Sequence, residues 1–502
     1  MSASTAAIPE KKVKPLEGTQ LMMAGLLLAA SNFIVVLDMT IANVSVPHIA
    51  GGLAISPNEG TYVITSYAVA EAITVPLTGW FSSRFGTLKT FVIAMLAFGF
   101  CSLLCGMANS LGLLVGARIL QGLSGGLLMP LSQTLLLRIF PPQKRGAAMG
   151  LWAMTTLVAP VLGPIIGGYI SDNWGWPYIF YINIPLCILA TVGVAKILAQ
   201  YETKKTKAKI DFVGLILLVV WVGALQFMLD EGKKLDWFSS MEIRILLVTA
   251  IIGFLSFLIW ELTQPDPIVD LRVFRHRGYT ASVVAIALTF GAFFSSVVLT
   301  PLWLQSYMGY TAEWSGLTTC ALGMLAVFVA PIAGKMSSKY DPRYLVFFGV
   351  LWVGSWTFVR SFNTTNMTHW QISLPMLLQG IGMPFFFIPS TALALSSVNE
   401  DETASAAGLM SFLRTLAGAF ATSIVTTSWE NDASVFRSEI VSNLKPDHGL
   451  ELPVLDHLVQ SQAVVLSTNH IFVVSAGIFI IAAFSIWLAP KPTRVADTSE
   501  AH

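Results

Sequence analysis

Residues 34–47 read IVVLDMTIANVSVP and set one carboxylate, Asp38, inside an apolar run that extends over about 20–46. A run of that length crosses the ~30 Å hydrocarbon core of a bilayer as a single helix. An aspartate near the middle of such a helix costs about 3 kcal/mol on insertion scales, so it persists where a cavity, a partner or a bound proton accommodates it. Asp38 therefore reads as a functional site, against the alternative of an aspartate locked to a helix neighbour or lining a static water pocket.

The whole chain has the character of this stretch. Of its 502 residues 55% are hydrophobic and 11% charged, against about 25% charged in soluble domains, which makes it a polytopic membrane protein. The net charge of +1 supplies no global field for nucleic acid. Cys101, Cys105, Cys187 and Cys320 all lie in apolar runs, where a thiol behaves as a small hydrophobe, so no disulfide, metal or cofactor is expected. Residues 1–19 are polar and include Lys11, Lys12 and Lys14. The apolar run after them is too long for a signal-peptide core, which predicts a cytoplasmic N-terminal tail.

Apolar runs recur at about 20–46, 59–82, 90–109, 111–137, 147–170, 177–199, 211–229, 243–262, 279–303, 312–336, 344–362, 371–397, 404–428 and 469–489. Each is long enough to span, which predicts an all-α membrane protein of about fourteen helices. Alternating them from a cytoplasmic N-terminus leaves only Lys233, Lys234, Arg244, Arg360, Arg437 and Lys445 on the outer side. Every other basic loop residue falls inside, as the positive-inside rule requires, and both termini are cytoplasmic.

GWFSSRFGTLK at 79–89 returns as GKMSSKYDPR at 334–343, and Gln121-Gly122 returns as Gln379-Gly380. The offset is eight helices, which two six-helix bundles satisfy if two extra helices lie between them. The expected layout is a tail at 1–19, a bundle at 20–200, the two linker helices within 201–275, a second bundle at 276–490 with an outer loop at 429–468, and a cytoplasmic tail at 491–502. Repeats of this kind suit a transporter whose halves rock about a midplane site.

These residues resemble the major facilitator superfamily and, within it, the fourteen-helix drug:proton antiporters. LDMTIANVSVP at 37–47 is similar to the first-helix motif of that group. Gly79, Arg84, Gly86 and Lys89 match the cytoplasmic loop motif, with Ser83 where the common pattern has an aspartate. LLVGARILQG at 113–122 matches the fourth-helix motif through Arg118, Gln121 and Gly122. Gly150, Gly163, Pro164, Gly167 and Gly168 fit the antiporter motif of the fifth helix, with Ala159 replacing one glycine. PLEGTQL at 15–21, TYVITSYAVAEAITVPLTGW at 61–80, LQFMLDEGKKLDWFSS at 225–240 and PDPIVDL at 265–271 extend the likeness to EmrB-type pumps over nearly the whole chain. The resemblance implies a bacterial inner-membrane exporter working with a periplasmic adaptor (EmrA-like) and an outer-membrane channel (TolC-like).

The bottom-up reading of the same residues keeps alternatives open. Asp38 and Arg118 fall at a similar depth from the outer ends of their helices, so they form a proton-coupling pair or a static ion pair. The small residues and prolines of 150–168 pack helices closely, form a pliable gate, or do both. Glu71 lies about twelve residues into the second helix, roughly 18 Å along its axis. It serves as a second proton site, as a counter-charge for cationic substrates, or as a glutamic acid hydrogen-bonded to a neighbour. Arg414 is an intramembrane cation that either faces the substrate cavity or pairs within the bundle. The loop at 429–468 carries Val435, Ile440, Leu444, Leu455, Leu458 and Val459 at helical spacing; it docks an adaptor or is a solvated loop with a short amphipathic helix.

Together these readings predict a proton-driven efflux transporter of amphipathic or hydrophobic toxic compounds. The sequence has no GxxxxGK[ST] phosphate loop for ATP, and no HExxH or CxxC arrangement for catalysis. An uptake symporter, or an exporter of a narrow class such as fatty acids, is the alternative.

Overall fold

The computed structural model describes residues 16–141, 145–203, 205, 210–232, 235–265, 267–337, 339–399, 403–443 and 452–490. Among these, twelve helices are long and apolar enough to cross a membrane. Two further rods complete fourteen crossings. One, over 57–85, is broken by a 3-10 turn at Val75–Leu77, where Pro76 has no N–H to continue the helical ladder. The other is the helix Arg145–Asn173.

In chain order the crossings are α1 (Gly18–Leu53), α2 (57–85), α3 (Thr87–Gly106), α4 (Leu111–Ile139), α5 (Arg145–Asn173), α6 (Tyr178–Tyr201) and α7 (Phe212–Glu231). There follow α8 (Met241–Thr263), α9 (Arg277–Ser306), α10 (Ala312–Ser337), α11 (Pro342–Phe362) and α12 (His369–Ser396). The last two are α13 (Thr403–Asn443) and α14 (Leu452–Ser485). Turns are defined by capping side chains: Asp211 accepts the Gly214 N–H at the start of α7, and Asp341 accepts that of Arg343 at the start of α11. Such caps satisfy donors that a helix start otherwise leaves unpaired.

Ile93, Leu96 and Phe100 on α3, Leu189 on α6 and Ile259 on α8 are exposed. An apolar belt of this kind faces lipid tails, which solvate it as well as a core would. α1 packs on α4, α5 and α6, and α3 on α4 and α6, while α9 packs on α12, α13 and α14, and α11 on α12 and α14. This is the two-bundle fold expected from the repeat. The extra helices α7 and α8 pack on each other, and α7 also touches α2 of the first bundle and α13 of the second.

The bundles meet through α5 against α10 and α2 against α13. Among the described residues, the side-chain hydrogen bonds that pass directly between bundles lie toward the face opposite the start of α1. Gln305 Nε2 donates to the Val44 carbonyl at 2.6 Å, and the Ala312 and Glu313 N–H groups donate to Asp172 at 3.2 and 2.6 Å. Asp172 is also 3.2 Å from His48. The molecule is thus drawn together at this opposite face.

Two sequence expectations are corrected. The outer loop at 429–468 is helical over 429–443 and again over 452–468, because α13 and α14 run on past their apolar stretches. At 1.5 Å per residue the 41 residues of α13 extend roughly 60 Å, about twice the bilayer core. Hydropathy marks where lipid ends, not where a helix ends. Arg360, assigned by charge sorting to an outer loop, is 3% exposed and folded back into the second bundle. The tails at 1–15 and 491–502 and the hairpin tip, with Leu444 and Lys445, lie outside the described residues, as do Lys233 and Lys234.

Candidate functional site: a buried carboxylate and the seam beside it

Asp38 and Arg118 are 2% and 1% exposed, and Arg118 Nη1 donates to Asp38 Oδ2 at 2.6 Å. The other carboxylate oxygen accepts from Asn183 Nδ2 at 2.6 Å and Gln121 Nε2 at 3.1 Å. The donors are themselves held in place. Arg118 Nη1 also donates to Gln121 Oε1 at 2.9 Å and its Nε to the Val63 carbonyl at 3.0 Å. Ser102 Oγ accepts from Asn183 and Gln121 and donates to the Phe180 carbonyl. The guanidinium lies 4.2 Å from the Tyr67 ring and 5.6 Å from that of Phe180, a cation–π arrangement strengthened by its burial. Side chains or carbonyls from α1, α2, α3, α4 and α6 therefore converge on one charge pair.

Each oxygen of Asp38 thus accepts at least one hydrogen bond, Oδ2 from Arg118 and Oδ1 from the amides of Asn183 and Gln121, so the carboxylate ties several helices to one point.

The second bundle carries a related cluster without the acid. Arg360 donates to Thr300 Oγ1 at 2.6 Å and Gln379 Oε1 at 3.2 Å, Gln379 donates to Thr357 at 2.9 Å, and the guanidinium sits 4.4 Å from the Phe472 ring. The repeat that relates Gln121 to Gln379 thus has a structural counterpart, but the titratable carboxylate belongs to the first bundle.

Glu71 on α2 is 3% exposed, and its Oε2 has no hydrogen-bond partner among the described residues. Arg414 on α13 is partly exposed and lies 5.6 Å from the Phe290 ring. These two sequence candidates thus stand on the two helices that meet across the seam, one from each bundle.

The small residues of α5 have direct contacts that explain their size. A Cβ on Gly163 would stand 2.1 Å from Thr40 Oγ1 of α1, and one on Gly167 3.0 Å from the Ile41 carbonyl. On the other side of α5, a Cβ on Gly168 would stand 2.3 Å from the Ala312 carbonyl of α10, and one on Gly316 2.0 Å from the carbonyl of Pro164. α5 is therefore wedged between α1 of its own bundle and α10 of the other, with backbones touching. The surroundings of Gly150 lie outside the described residues.

In the loop motif, Arg84 and Lys89 are exposed, Gly79 is exposed with open space where a Cβ would stand, and Gly86 has φ +96°. That backbone conformation favours glycine. The acid at this turn is Glu202, from the end of α6: it accepts the N–H groups of Leu88 and Lys89 at 3.1 and 2.9 Å, where the positive end of α3 favours a carboxylate. Sequence reading missed Glu202, Asn183 and Ser102 as partners. The available signal for Asn183 was a lone amide in the apolar stretch YINIPLCIL.

A buried ion pair in a two-bundle array with two inserted helices defines a secondary transporter by fold and site. The pattern of the Major Facilitator Superfamily matches residues 28–422, and the chain belongs to that family. It is 41% identical over 497 residues to the multidrug export protein EmrB of Escherichia coli K12, covering 95% of this chain and 97% of the relative. It is 40% identical to the fatty acid resistance protein FarB of Neisseria gonorrhoeae, covering 95% and 98%. A crystal structure of a D-xylose-proton symporter superposes with a TM-score of 0.64 at 14% identity, covering 95% of this chain and 99% of that one, and shares the fold.

Either variant leaves one buried charge uncompensated, at a cost of about 3–5 kcal/mol. Arg118→Ala also removes the bonds to Val63 and Gln121 and the contact with Tyr67, so it is expected to lower the thermal midpoint in detergent well below that of Asp38→Asn, which keeps one acceptor oxygen. Equal midpoints for the two variants contradict the pairing.

Proposed function

We propose that this chain is a proton-driven exporter of amphipathic, drug-like compounds in the bacterial inner membrane, with both termini in the cytoplasm. The observation that carries the reading is the fully buried Asp38–Arg118 pair with every carboxylate oxygen occupied. Asp38 takes a proton from the outer side and gives it up inside, and the resulting loss and return of its charge bias which face of the molecule opens. Each elementary charge moved inward down the membrane potential gains about 2.3 kcal/mol per 100 mV, which drives uphill export.

Glu71 and Arg414 are the substrate-binding pair in this account. A buried carboxyl with an unpartnered oxygen favours a cationic group, and it lies beside a seam that must open to admit one. A second reading, export of anionic amphiphiles such as fatty acids, draws support from Arg414 being partly exposed over Phe290 and from the likeness to FarB. Gly150, Gly163, Pro164, Gly167 and Gly168 are the gating motif in this account, a pliable, small-residue surface that seals one face and releases it, and the close contacts of Gly163, Gly167 and Gly168 with α1 and α10 support that reading. Gly79, Arg84, Gly86 and Lys89 act as the cytoplasmic loop motif that fixes the α2–α3 turn. The layout of two bundles at 20–200 and 276–490 around linker helices within 201–275 belongs to the same proposal.

In inverted vesicles energised by a proton gradient, Asp38→Asn should abolish uphill transport at wild-type expression. In the same assay Glu71→Gln should weaken transport of permanently charged cations far more than that of fatty acids. Normal uphill transport by Asp38→Asn overturns the coupling role, and an equal loss for every substrate by Glu71→Gln moves that residue from recognition to coupling.

The projecting ends of α13 and α14 are the proposed seat of a periplasmic adaptor, which would pass substrate to an outer-membrane channel. Arg437 and Asp456 join the two arms at 2.6 Å, and Val435, Val441, Val454 and Leu458 are exposed on them. Replacing 435–459 by a short Gly/Ser linker should leave vesicle transport intact and lower resistance in whole cells. Full resistance in cells carrying the linker contradicts adaptor docking.

A further inference from the structure

The two inserted helices have no counterpart in a plain two-bundle design, and one of them ends in a half-buried acid that the mechanism above does not use. Asp230 is the penultimate residue of α7, near the closed face. Its Oδ1 accepts from Gln226 Nε2 of its own helix at 2.9 Å and from Ser423 Oγ of α13 in the second bundle, and Gln226 Nε2 also donates to Ser423 Oγ. Its Oδ2 accepts from Thr65 Oγ1 of α2 in the first bundle at 3.3 Å. The backbone joins in: Tyr62 Oη donates to the Asp230 carbonyl at 2.9 Å and Thr427 Oγ1 to that of Leu229 at 3.5 Å. Both bundles thus donate, in side-chain hydrogen bonds, to the same short piece of the inserted helix.

Packing places this junction over the seam itself. Leu218, Trp221 and Val222 of α7 share one apolar cluster with Ala68, Val69 and Ala72 of α2 and with Leu416 and Ala419 of α13. The cluster supplies adhesion without direction, because apolar contacts slide at little cost. Hydrogen bonds to a carboxylate are directional and about twice as strong as neutral ones, so Asp230 fixes where the two ends may sit.

We propose that Asp230 is a positioning residue of the transport cycle: through it α7 holds α2 and α13 together near the closed face, and the cycle requires this junction to part each time that face opens. Thr65 and Ser423 sit on different rigid bodies, so a carboxylate shared between them cannot keep both when the bodies rotate apart. The inserted helices are then a clamp on the rocking motion rather than a spacer. The proposal takes the rocking cycle from the exporter reading, but its structural content is independent of which substrate moves and in which direction.

The test measures the seam directly. Nitroxides on Pro57→Cys and Val435→Cys, at exposed positions near the closed-face ends of α2 and α13, report the separation by pulsed electron paramagnetic resonance in lipid nanodiscs without substrate. Asp230→Ala should raise the long-distance population by roughly tenfold, the shift expected from losing a hydrogen bond to a charged group. Asp230→Asn, which keeps one acceptor oxygen, should restore part of the short-distance population. The double variant Thr65→Val, Ser423→Ala removes the donor of each bundle while leaving Asp230 and should reproduce the shift, and it decides the matter if Asp230→Ala does not fold. A wild-type distance distribution in a folded Asp230→Ala or in the double variant overturns the proposal, and so does a lower thermal midpoint with no change in distance. Because no transport is read, failure here leaves the exporter reading standing, and failure of the exporter reading leaves this measurement meaningful.

Discussion

The ion pair between Asp38 and Arg118 is the constraint from which the first bundle takes its arrangement. A charge inside a membrane protein is tolerated when it is paired and its remaining hydrogen-bonding capacity is filled, and both conditions are met here by residues on separate helices. Asn183 and Gln121 complete the carboxylate, Val63 and Tyr67 complete the guanidinium, and Ser102 orients the two amides. In the proposed cycle the same carboxylate carries the coupling proton, so a change in its charge would act on contacts that hold five helices together.

That movement has a defined place to go. α5 touches α1 through Thr40 and Ile41, two and three residues from Asp38, and touches α10 through Gly168 and Gly316. In the proposed cycle a displacement of α1 would reach the seam through a helix whose glycines bring it into close contact with α1 on one side and with the α10 backbone on the other. The second bundle has an arginine, Arg360, in the related polar cluster but holds it with Thr300 and Gln379. A guanidinium does not titrate in the physiological range, so in the proposed cycle this half would keep its charge while the other half changes.

Much of this was legible in the chain. The few charges within apolar runs single out Asp38, Glu71, Arg118 and Arg414, and axial depth at 1.5 Å per residue is enough to match Asp38 with Arg118. Asn183 and Ser102 were not legible, because amides and hydroxyls are ordinary in membrane helices and their choice of partner across up to 145 residues is a tertiary fact. Arg360 was misplaced because it closes an apolar run, where a basic residue reads as a loop marker; only the packing of α9, α12 and α14 around it reveals a buried site. The ends of α13 and α14 were cut short for a related reason: polar residues beyond the bilayer stay helical when two arms support each other, as Arg437 and Asp456 do. Glu202 escaped notice because the acid expected beside Ser83 is supplied by a helix more than a hundred residues away.

The central claim is that one carboxylate carries the proton that substrate exchanges for, and proton release on binding tests it most directly. Purified protein in weakly buffered detergent, mixed with a lipophilic phosphonium cation, should release protons to a pH-indicating dye in proportion to the substrate bound. Asp38→Asn, folded and binding the same cation, should release none. Undiminished release from that variant would place the coupling proton elsewhere and contradict the account.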